Sequence, residues 1–369
     1  MYSHPLPGFH NAAMISRRKL LFAASALVAG APFYGYAKDA RVPISDMHSH
    51  YGMSSRRMGD SGLAQEMREQ GVALVAWKLV ADARWIRSTD KGIVQVSEPV
   101  PGELARYFNA ALDRMGAYLT AQKLKVVLSK ADVDACIAGE SGVVLASEGA
   151  DFLEGRIENL DAAYAKGLRH LQLVHYMRTP VGDFQTTEPV HNGLSLMGQQ
   201  LVEKCGAQGV LVDLAHCTAA GVDQALAIAK VPVIWSHGWV DGDGGDWRDP
   251  YGHMKRRLSL AHAKKMAAQG GVVGLWGLGF SRPGPGWAVG LGDTLGYAKE
   301  IASLVGKIGA DHVAFGSDIE GLGTSWAINN YTHLRSVVDH LHDMKLGSSV
   351  IERVAYGNYA RVLKSAMKS

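Results

Sequence analysis

Seven histidine, glutamate and aspartate residues share one kind of position in this sequence, because each ends or closely follows a short apolar segment. Such a position is unfavourable for an imidazole or a carboxylate that has no partner. These side chains also bind zinc and transfer protons in hydrolytic enzymes. The seven candidates are His48, His50, Glu148, His175, His216, His237 and Asp318.

Four of the histidines have the spacing or placement of metal ligands. His48 and His50 are two residues apart, so on a strand both side chains lie on one face. His216 ends VLVDLAH and His237 ends VPVIWSH, on consecutive apolar segments. The alternatives are a polar strand end for the first pair and hydrogen-bonded core histidines for the second. Two pairs together favour ligation of a borderline cation such as zinc.

Two carboxylates and a fifth histidine extend this set. Glu148, in VVLASEG, can bridge two metals about 3.5–4 Å apart; the alternative is a helix-capping or surface glutamate. Asp318, in FGSDIEG, can take a proton from a metal-bound water; the alternative is a salt bridge with Arg256 or Arg257. His175 is either a further ligand or a donor that stabilises an oxyanion.

Two arginines follow the glycine-rich, acidic segment Asp241–Asp249. Arg256 or Arg257 can bind a substrate carboxylate through two parallel hydrogen bonds, and a solvated surface pair is the alternative. The segment's glycines suit a mobile lid, but an ordinary surface loop fits equally well.

The elements that must position these side chains are eight short apolar segments with helical patterns between them. Alternation of this kind predicts parallel βα units. Eight strands with crossover helices favour a (β/α)₈ barrel of the TIM type, in which all strand ends meet at one mouth. An open doubly wound sheet is the competing architecture. The predicted strands are Val42–His48, Val72–Val80, Val143–Glu148, Leu168–His175, Val210–His216, Val231–His237, Val272–Trp276 and Val313–Asp318.

Capping residues mark several of the helices between the strands. Four of the predicted starts have a side chain able to accept a hydrogen bond from the first helical turn, and Glu103–Lys123 is predicted from its helical spacing as an inserted or lengthened element. The predicted helices are Glu103–Lys123, Lys130–Ala138 after Ser129, Ala219–Ala229 after Thr218, Leu260–Gln269 after Ser259, and a helix from Asp293 to about Lys307.

Composition excludes several other classes of protein. The 369 residues are 47% hydrophobic and 20% charged, which is enough apolar material for a large core. A net charge of +3 without long basic runs does not imply nucleic acid. The widely spaced Cys136, Cys205 and Cys217 form no metal motif, and we expect them to be small buried side chains.

The N-terminus has the features of an export signal. Arg17, Arg18 and Lys19 precede an apolar stretch to Gly30 and a small-residue end at Ala37. The paired arginines favour the twin-arginine route, and an anchor helix is the alternative, although the stretch is shorter than the about 20 residues that span a bilayer. We therefore predict a signal over residues 1–37, a single barrel hydrolase domain over 38–369, and a periplasmic or secreted protein.

Ordered motifs across roughly residues 43–365 resemble those of the membrane dipeptidase (renal dipeptidase) family of zinc metallopeptidases, which is amidohydrolase-like. The strand-end segments described above carry the resemblance, together with LVHYMRTPVGD and the closing YGNYARVL. SDMHSH corresponds to a DxHxD-type segment of the family. The family therefore has Asp where this chain has His50, and the substitution makes the site more positive by one charge.

The resemblance implies a role for each candidate residue. Two zinc ions, with other divalent metals as alternatives, would be bound by His48, His50, Glu148, His216 and His237. His175 would contact the scissile carbonyl and Asp318 would transfer the proton. Arg256 would hold the substrate carboxylate, with Arg257 as the alternative because RRLS leaves the register uncertain by one residue. The resemblance also allows a homodimer.

Three hypotheses about function follow. The leading one is a dipeptidase that cleaves the amide bond of dipeptides with a hydroxide activated by two zinc ions. The second is a hydrolase of another small amide, a lactam or a lactone. The third is an exported binding protein without turnover, which the proton-transfer groups at the mouth argue against.

Overall fold

The computed structural model describes residues 41–52, 62–89, 92–241, 253–277, 293–321 and 327–368. Eight parallel strands form a closed barrel in which each strand pairs with its neighbours in chain order, β2 pairs with β3, and β8 returns to β1. The predicted barrel is therefore confirmed. The strands are β1 Ile44–Ser49, β2 Val72–Val80, β3 Gly142–Glu148, β4 Leu168–Gln172, β5 Leu211–Asp213, β6 Ile234–Trp235, β7 Val272–Trp276 and β8 Val313–Gly316.

Helices follow the strands and cover the outside of the barrel, as a parallel sheet with two buried faces requires. Ser129, Thr218, Ser259 and Asp293 each cap a helix through the side chain, as predicted. The helices are α1 Gly62–Gln70, α2 Glu103–Ala121, α3 Lys130–Ile137, α4 Asn159–Ala165, α5 Leu196–Gln208, α6 Ala219–Ile228, α7 Leu260–Ala268, α8 Thr294–Ile308, α9 Tyr331–Asp343, α10 Ser348–Glu352 and α11 Asn358–Ala366.

Two short pairs of strands lie outside the barrel. Ile86–Thr89 and Gly92–Gln95 form an antiparallel hairpin after β2. Trp239–Asp241 pairs in parallel with Arg257–Ser259 after β6. Both pairs follow the carboxyl ends of barrel strands, where loops build the active sites of such barrels.

The final helix packs against the barrel at the end opposite the predicted site. α11 contacts β1, β5, β7 and β8. Its Leu363 belongs to an apolar cluster with Leu211, Ile234 and Val272, which are the first residues of β5, β6 and β7. Apolar side chains therefore fill the barrel at the amino-terminal ends of the strands, and the carboxyl-terminal end is left for the site.

Four predicted strands extend too far, including β8, which ends at Gly316, two residues before Asp318. β4, β5 and β6 end before the histidines that were expected to close them, so His175, His216 and His237 lie in the loops just beyond. The apolar residues continue past the last sheet hydrogen bonds because these loops are also buried. His216 has a left-handed backbone (φ 72°), which turns the chain away from the strand direction.

No helix within the described residues combines the length and apolar character required to cross a bilayer. The predicted signal at residues 1–37 lies outside the described residues, as does the part of the predicted lid segment from Gly242 onwards. All three cysteines are buried and unpaired, as predicted.

Candidate metal centre

Six of the seven candidate residues line one cavity at the carboxyl ends of the strands, and the seventh, His48, contacts His50 and Glu148. None of them is more than 5% exposed. The cavity has a volume of about 170 Å³, and its polar lining includes His50, Glu148, His175, His216, His237, Arg256 and Asp318. Residues from β1 and β3 and the segments after β4, β5, β6 and β8 are thereby brought together, as strand ends are in a closed barrel.

Glu148 lies between two pairs of imidazoles. His50 Nε2 is 2.9 Å from Glu148 Oε2 and 3.1 Å from His48 Nε2. On the other side, His216 Nε2 is 3.1 Å and His237 Nε2 is 3.5 Å from Glu148 Oε1. Potential ligand atoms lie within 4.8 Å of one another in each of two groups, and Glu148 belongs to both. This arrangement suits two cations that share one carboxylate.

Contacts to the Nδ1 atoms of these imidazoles leave the Nε2 atoms available for a cation. His50 Nδ1 is 3.1 Å from the carbonyl oxygen of Lys78, which can only accept, so Nδ1 carries a proton and Nε2 is the nitrogen that would bind a cation. Ser236 Oγ contacts the Nδ1 atoms of His48 at 2.9 Å and His237 at 3.1 Å. Such outer contacts fix ligand orientation in metal sites.

The electrostatics show how strongly this set attracts positive charge. Burial alone would raise the pKa of Glu148, but the imidazoles of His175, His48 and His50 hold that pKa well below its usual range. Burial alone would lower the pKa of His50, but the negative charges of Glu148 and Asp318 outweigh it and raise that pKa to about 10. A cation bound to His50 would replace the proton that these carboxylates stabilise on its imidazole.

The second pair of imidazoles is neutral. Burial and the nearby Arg256 lower the pKa of His216 well below its usual value. Burial, with His48 and Arg256, does the same for His237. Neutral imidazoles are the form that ligates metal. Nitrogen and carboxylate-oxygen donors of this kind fit zinc.

Asp318 stands beside the first pair of imidazoles. Its Oδ1 is 3.1 Å from His50 Nε2, and its Oδ2 accepts a hydrogen bond from the indole N–H of Trp276 at 2.5 Å. The residue has a left-handed backbone (φ 54°), an uncommon conformation for a residue other than glycine. Such strain is retained where the surrounding structure fixes it, often at functional sites.

His175 is held by a residue that the sequence did not suggest. Asp82 Oδ1 accepts from His175 Nδ1 at 2.7 Å, and Asp82 Oδ2 accepts from the backbone N–H of Tyr176 at 3.1 Å. His175 Nε2 is thereby directed to the cavity, 3.5 Å from Glu148 Oε1. Its position in the sequence could have indicated this role, because Asp82 lies two residues after β2, and no site residue had been assigned to that strand.

Arg256 is buried, so the interpretation as a solvated surface residue is wrong for it. It is 1% exposed, and its Nη1 donates to the hydroxyl of Tyr176 at 3.0 Å. Its Nη2 is 2.9 Å from His237 Nε2, which must accept, and a cation on that nitrogen would replace this contact. Nε of Arg256 is buried and has no hydrogen-bond partner among the described residues. Arg257 is half-buried, and only Arg256 lines the cavity.

Comparison with known proteins identifies the family. The model of the membrane dipeptidase family, peptidase family M19, matches residues 51–241, which is more than half of the chain. The chain belongs to the membrane dipeptidase family. The predicted family is confirmed, and membership places the chain among metal-dependent hydrolases. The match contains Glu148, His175, His216 and His237 but not His48, His50 or Asp318.

Individual relatives are distant. An uncharacterised protein from the pqqA 5′ region of Klebsiella pneumoniae is 25% identical over 257 residues, which cover 67% of this chain and 90% of that protein. The dipeptidase tcpJ of Claviceps purpurea is 23% identical over 233 residues, 62% of this chain and only about half (51%) of that relative's length.

The fold of this membrane dipeptidase family member is shared by a solved metallopeptidase from Rhodobacter sphaeroides, crystallised with a phosphinate mimic of the dipeptide L-Ala-D-Ala. The TM-score is 0.69 at 19% identity, and the alignment covers 88% of this chain and 99% of the other. At this level of identity, the likeness supports the barrel alone.

Proposed function

We propose that the chain is a dipeptidase that uses two zinc ions to hydrolyse the amide bond of dipeptides. The observation that carries the proposal is Glu148, a single buried carboxylate between two pairs of imidazoles. His48 and His50 would hold one ion with it, and His216 and His237 the other. Two bound divalent cations would make water acidic enough to act as a nucleophile near neutral pH and would polarise a carbonyl group.

The residues around this centre match the needs of amide hydrolysis. Asp318 is placed to take a proton at its Oδ1 and deliver it to the leaving amine. Burial alone would lower the pKa of His175, but the charges of Asp82 and Glu148 raise it, so the protonated ring held by Asp82 can donate from Nε2 to the developing oxyanion. The buried walls exclude water from the reacting atoms, which strengthens these electrostatic interactions.

Arg256 gives the site a preference for a free carboxylate. A buried guanidinium with an unpaired Nε can bind a carboxylate through two parallel hydrogen bonds. The apolar residues Val80, Ala83, Ile86 and Ile93 line the same cavity. We therefore infer a small dipeptide with an apolar side chain and a free C-terminus. The dipeptide mimic bound by the Rhodobacter sphaeroides protein supports this substrate class.

The experiment is a hydrolysis assay of the zinc-loaded protein and of the chelated protein. The substrates are small apolar dipeptides, the same dipeptides with an amidated C-terminus, and small lactams and lactones. We expect turnover of the free dipeptides only when metal is present, and at least tenfold lower kcat/KM for the amides because Arg256 loses an ionic partner. Turnover confined to lactams or lactones would refute dipeptide specificity, and zinc-loaded protein without turnover of any of these compounds would refute the proposed activity.

We also propose that the protein is exported by the twin-arginine route to the periplasm or beyond. The basic start, the short apolar stretch and the small-residue end of residues 1–37 support this. Replacing Arg17 and Arg18 together by Lys should retain the protein in the cytoplasm, as judged by fractionation of the expressing cells. Unchanged export of this variant would contradict the route.

A further inference from the structure

Trp276 occupies the cavity wall between two groups of the proposed reaction. It is the last residue of β7, is 1% exposed and lines the cavity. β7 is the second strand to which the sequence assigned no site residue. Trp276 therefore lies at the carboxyl end of β7, between the segments that follow the neighbouring strands β6 and β8 and carry His237 and Asp318.

The indole contacts both the acid and the arginine. Its Nε1–H donates to Asp318 Oδ2 at 2.5 Å. The guanidinium carbon of Arg256 lies 5.0 Å from the ring centre, within the range of a cation–π interaction. The ring also meets that of His237 edge-on, at 5.6 Å between centroids.

We propose that Trp276 is a positioning residue that fixes Asp318 through its N–H and Arg256 through its ring face. The inference rests on the proposed function for the roles of those two residues. Trp276 would set the distance between Asp318 and Arg256, and therefore the length of a substrate that can contact both residues.

The geometry gives each contact a distinct task. An indole N–H can only donate, so it fixes Oδ2 of Asp318 and leaves Oδ1 directed towards His50. Without that donor, the carboxylate is free to rotate away from the reacting atoms. The ring face, by contrast, supports the guanidinium that would hold the substrate. Loss of the N–H should therefore change kcat, and loss of the ring should also change KM.

Two substitutions separate these tasks. Trp276→Phe retains a ring and removes the donor, so we expect kcat to fall by about tenfold or more, with KM within about twofold. Trp276→Leu removes both, so we expect a similar fall in kcat and an additional rise in KM of several-fold. Trp85→Phe is the matched control, because it shortens another buried tryptophan that packs with Leu104 and Met177 outside the cavity. It should leave both constants unchanged.

A double variant tests whether the effect passes through Asp318. If Trp276 acts by positioning this acid, Trp276→Phe should slow Asp318→Asn protein by less than twofold. A general structural defect would instead lower the remaining activity by the same factor as in the wild type. Such additivity, or a wild-type kcat in Trp276→Phe, would overturn the proposal.

A spectroscopic measurement does not depend on any activity. In zinc-loaded full-length protein with ¹⁵N-labelled tryptophan, Trp276→Phe identifies the indole N–H signal of Trp276. We expect Asp318→Asn to move that signal upfield, because a neutral amide accepts more weakly than a carboxylate. An unmoved signal would show that the hydrogen bond is absent and refute the inference. A shifted signal in a protein without dipeptidase activity would refute the proposed function alone.

Discussion

At the scale of single residues, the metal centre depends on the groups that contact the Nδ1 atoms of its histidines and so fix the orientation of the rings. Ser236 contacts the Nδ1 atoms of both His48 and His237, one from each pair of imidazoles. Its own backbone N–H donates to Asp213 Oδ1 at 3.0 Å. The two halves of the centre are therefore oriented by one hydroxyl.

Asp318→Asn is expected to cut kcat by about 10²–10⁴-fold, because an amide cannot accept and return the proton as a carboxylate does. The amide can still accept from the indole of Trp276, so the local structure should persist. Steady-state kinetics and metal analysis of the same sample check this. Metal content should stay at the wild-type level, and full activity in the variant would show that Asp318 has a different role.

His50→Asp is expected to bind metal more tightly, because the change makes the centre more negative by one charge and introduces the residue typical of the family. His50→Ala, the matched control, removes a ligand without replacing it and should weaken the first of the two sites. Isothermal titration of metal-free protein with zinc compares the three proteins. If His50→Asp binds as weakly as His50→Ala, the imidazole is required here for a reason other than ligation.

At the scale of elements, strands β6, β7 and β8 approach one another unusually closely beneath the centre. A Cβ added to Gly274 in β7 or to Gly316 in β8 would overlap the carbonyl oxygen of Ser236. That oxygen belongs to the backbone and cannot move aside as a flexible side chain can. The two glycines therefore allow the approach that brings Ser236 to the imidazoles.

Gly316→Ala is expected to lower the free energy of unfolding by about 1–3 kcal/mol, as overpacking does, and to weaken zinc binding through displacement of Ser236. Gly306→Ala in α8 is the control, because a Cβ there meets no atom within 4 Å, and alanine should stabilise the helix by about 0.5–1 kcal/mol. Denaturant unfolding and zinc titration measure both effects. Equal stability and equal zinc affinity in the two variants would contradict the close approach.

The strand-end pattern was enough to predict most of the site, because in a closed barrel the carboxyl end of every strand lies at the same mouth. The bounds of β2 and β7 were predicted to the residue. Asp82 and Trp276 were missed because no local motif marks them and their partners are distant in sequence, 93 residues for the contact of Asp82 with His175. The burial of Arg256 also depends on tertiary packing, which no local pattern encodes.

At the scale of the whole molecule, a buried charged network in the barrel interior underlies the metal centre. Lys78 Nζ lies 2.8 Å from Asp213 Oδ2 and 3.0 Å from His170 Nε2. The hydroxyl of Tyr359, from α11 below, is 3.3 Å from His170 Nδ1. Since Asp213 also holds Ser236, the network connects the base of the barrel to the site.

This network should make the protein sensitive to acid. Burial and the nearby charge of Lys78 lower the pKa of His170 to about 3, from about 6.5 in the unfolded chain. Between these values the unfolded chain binds the proton and the folded one does not. His170 therefore removes stability as pH falls through this window, by up to about 1.4 kcal/mol per pH unit.

His170→Gln should be less stable than the wild type at pH 7, because the network is disturbed, but it has no proton to gain. The stability difference between the two proteins is therefore expected to shrink as pH falls from 6.5 to 4. Denaturant unfolding at a series of pH values gives this difference, and acid effects common to both proteins cancel. A difference that does not change with pH would contradict the shifted pKa.

The most direct test of the account is the zinc content per chain of wild-type protein and of Glu148→Ala, measured by mass spectrometry of metals after saturation and dialysis. We predict two zinc ions for the wild type and a clear loss in the variant, since Glu148 is the only ligand common to both groups among the described residues. An equal zinc content in the two proteins, or a wild type that retains none, would contradict a pair of cations held by one shared carboxylate.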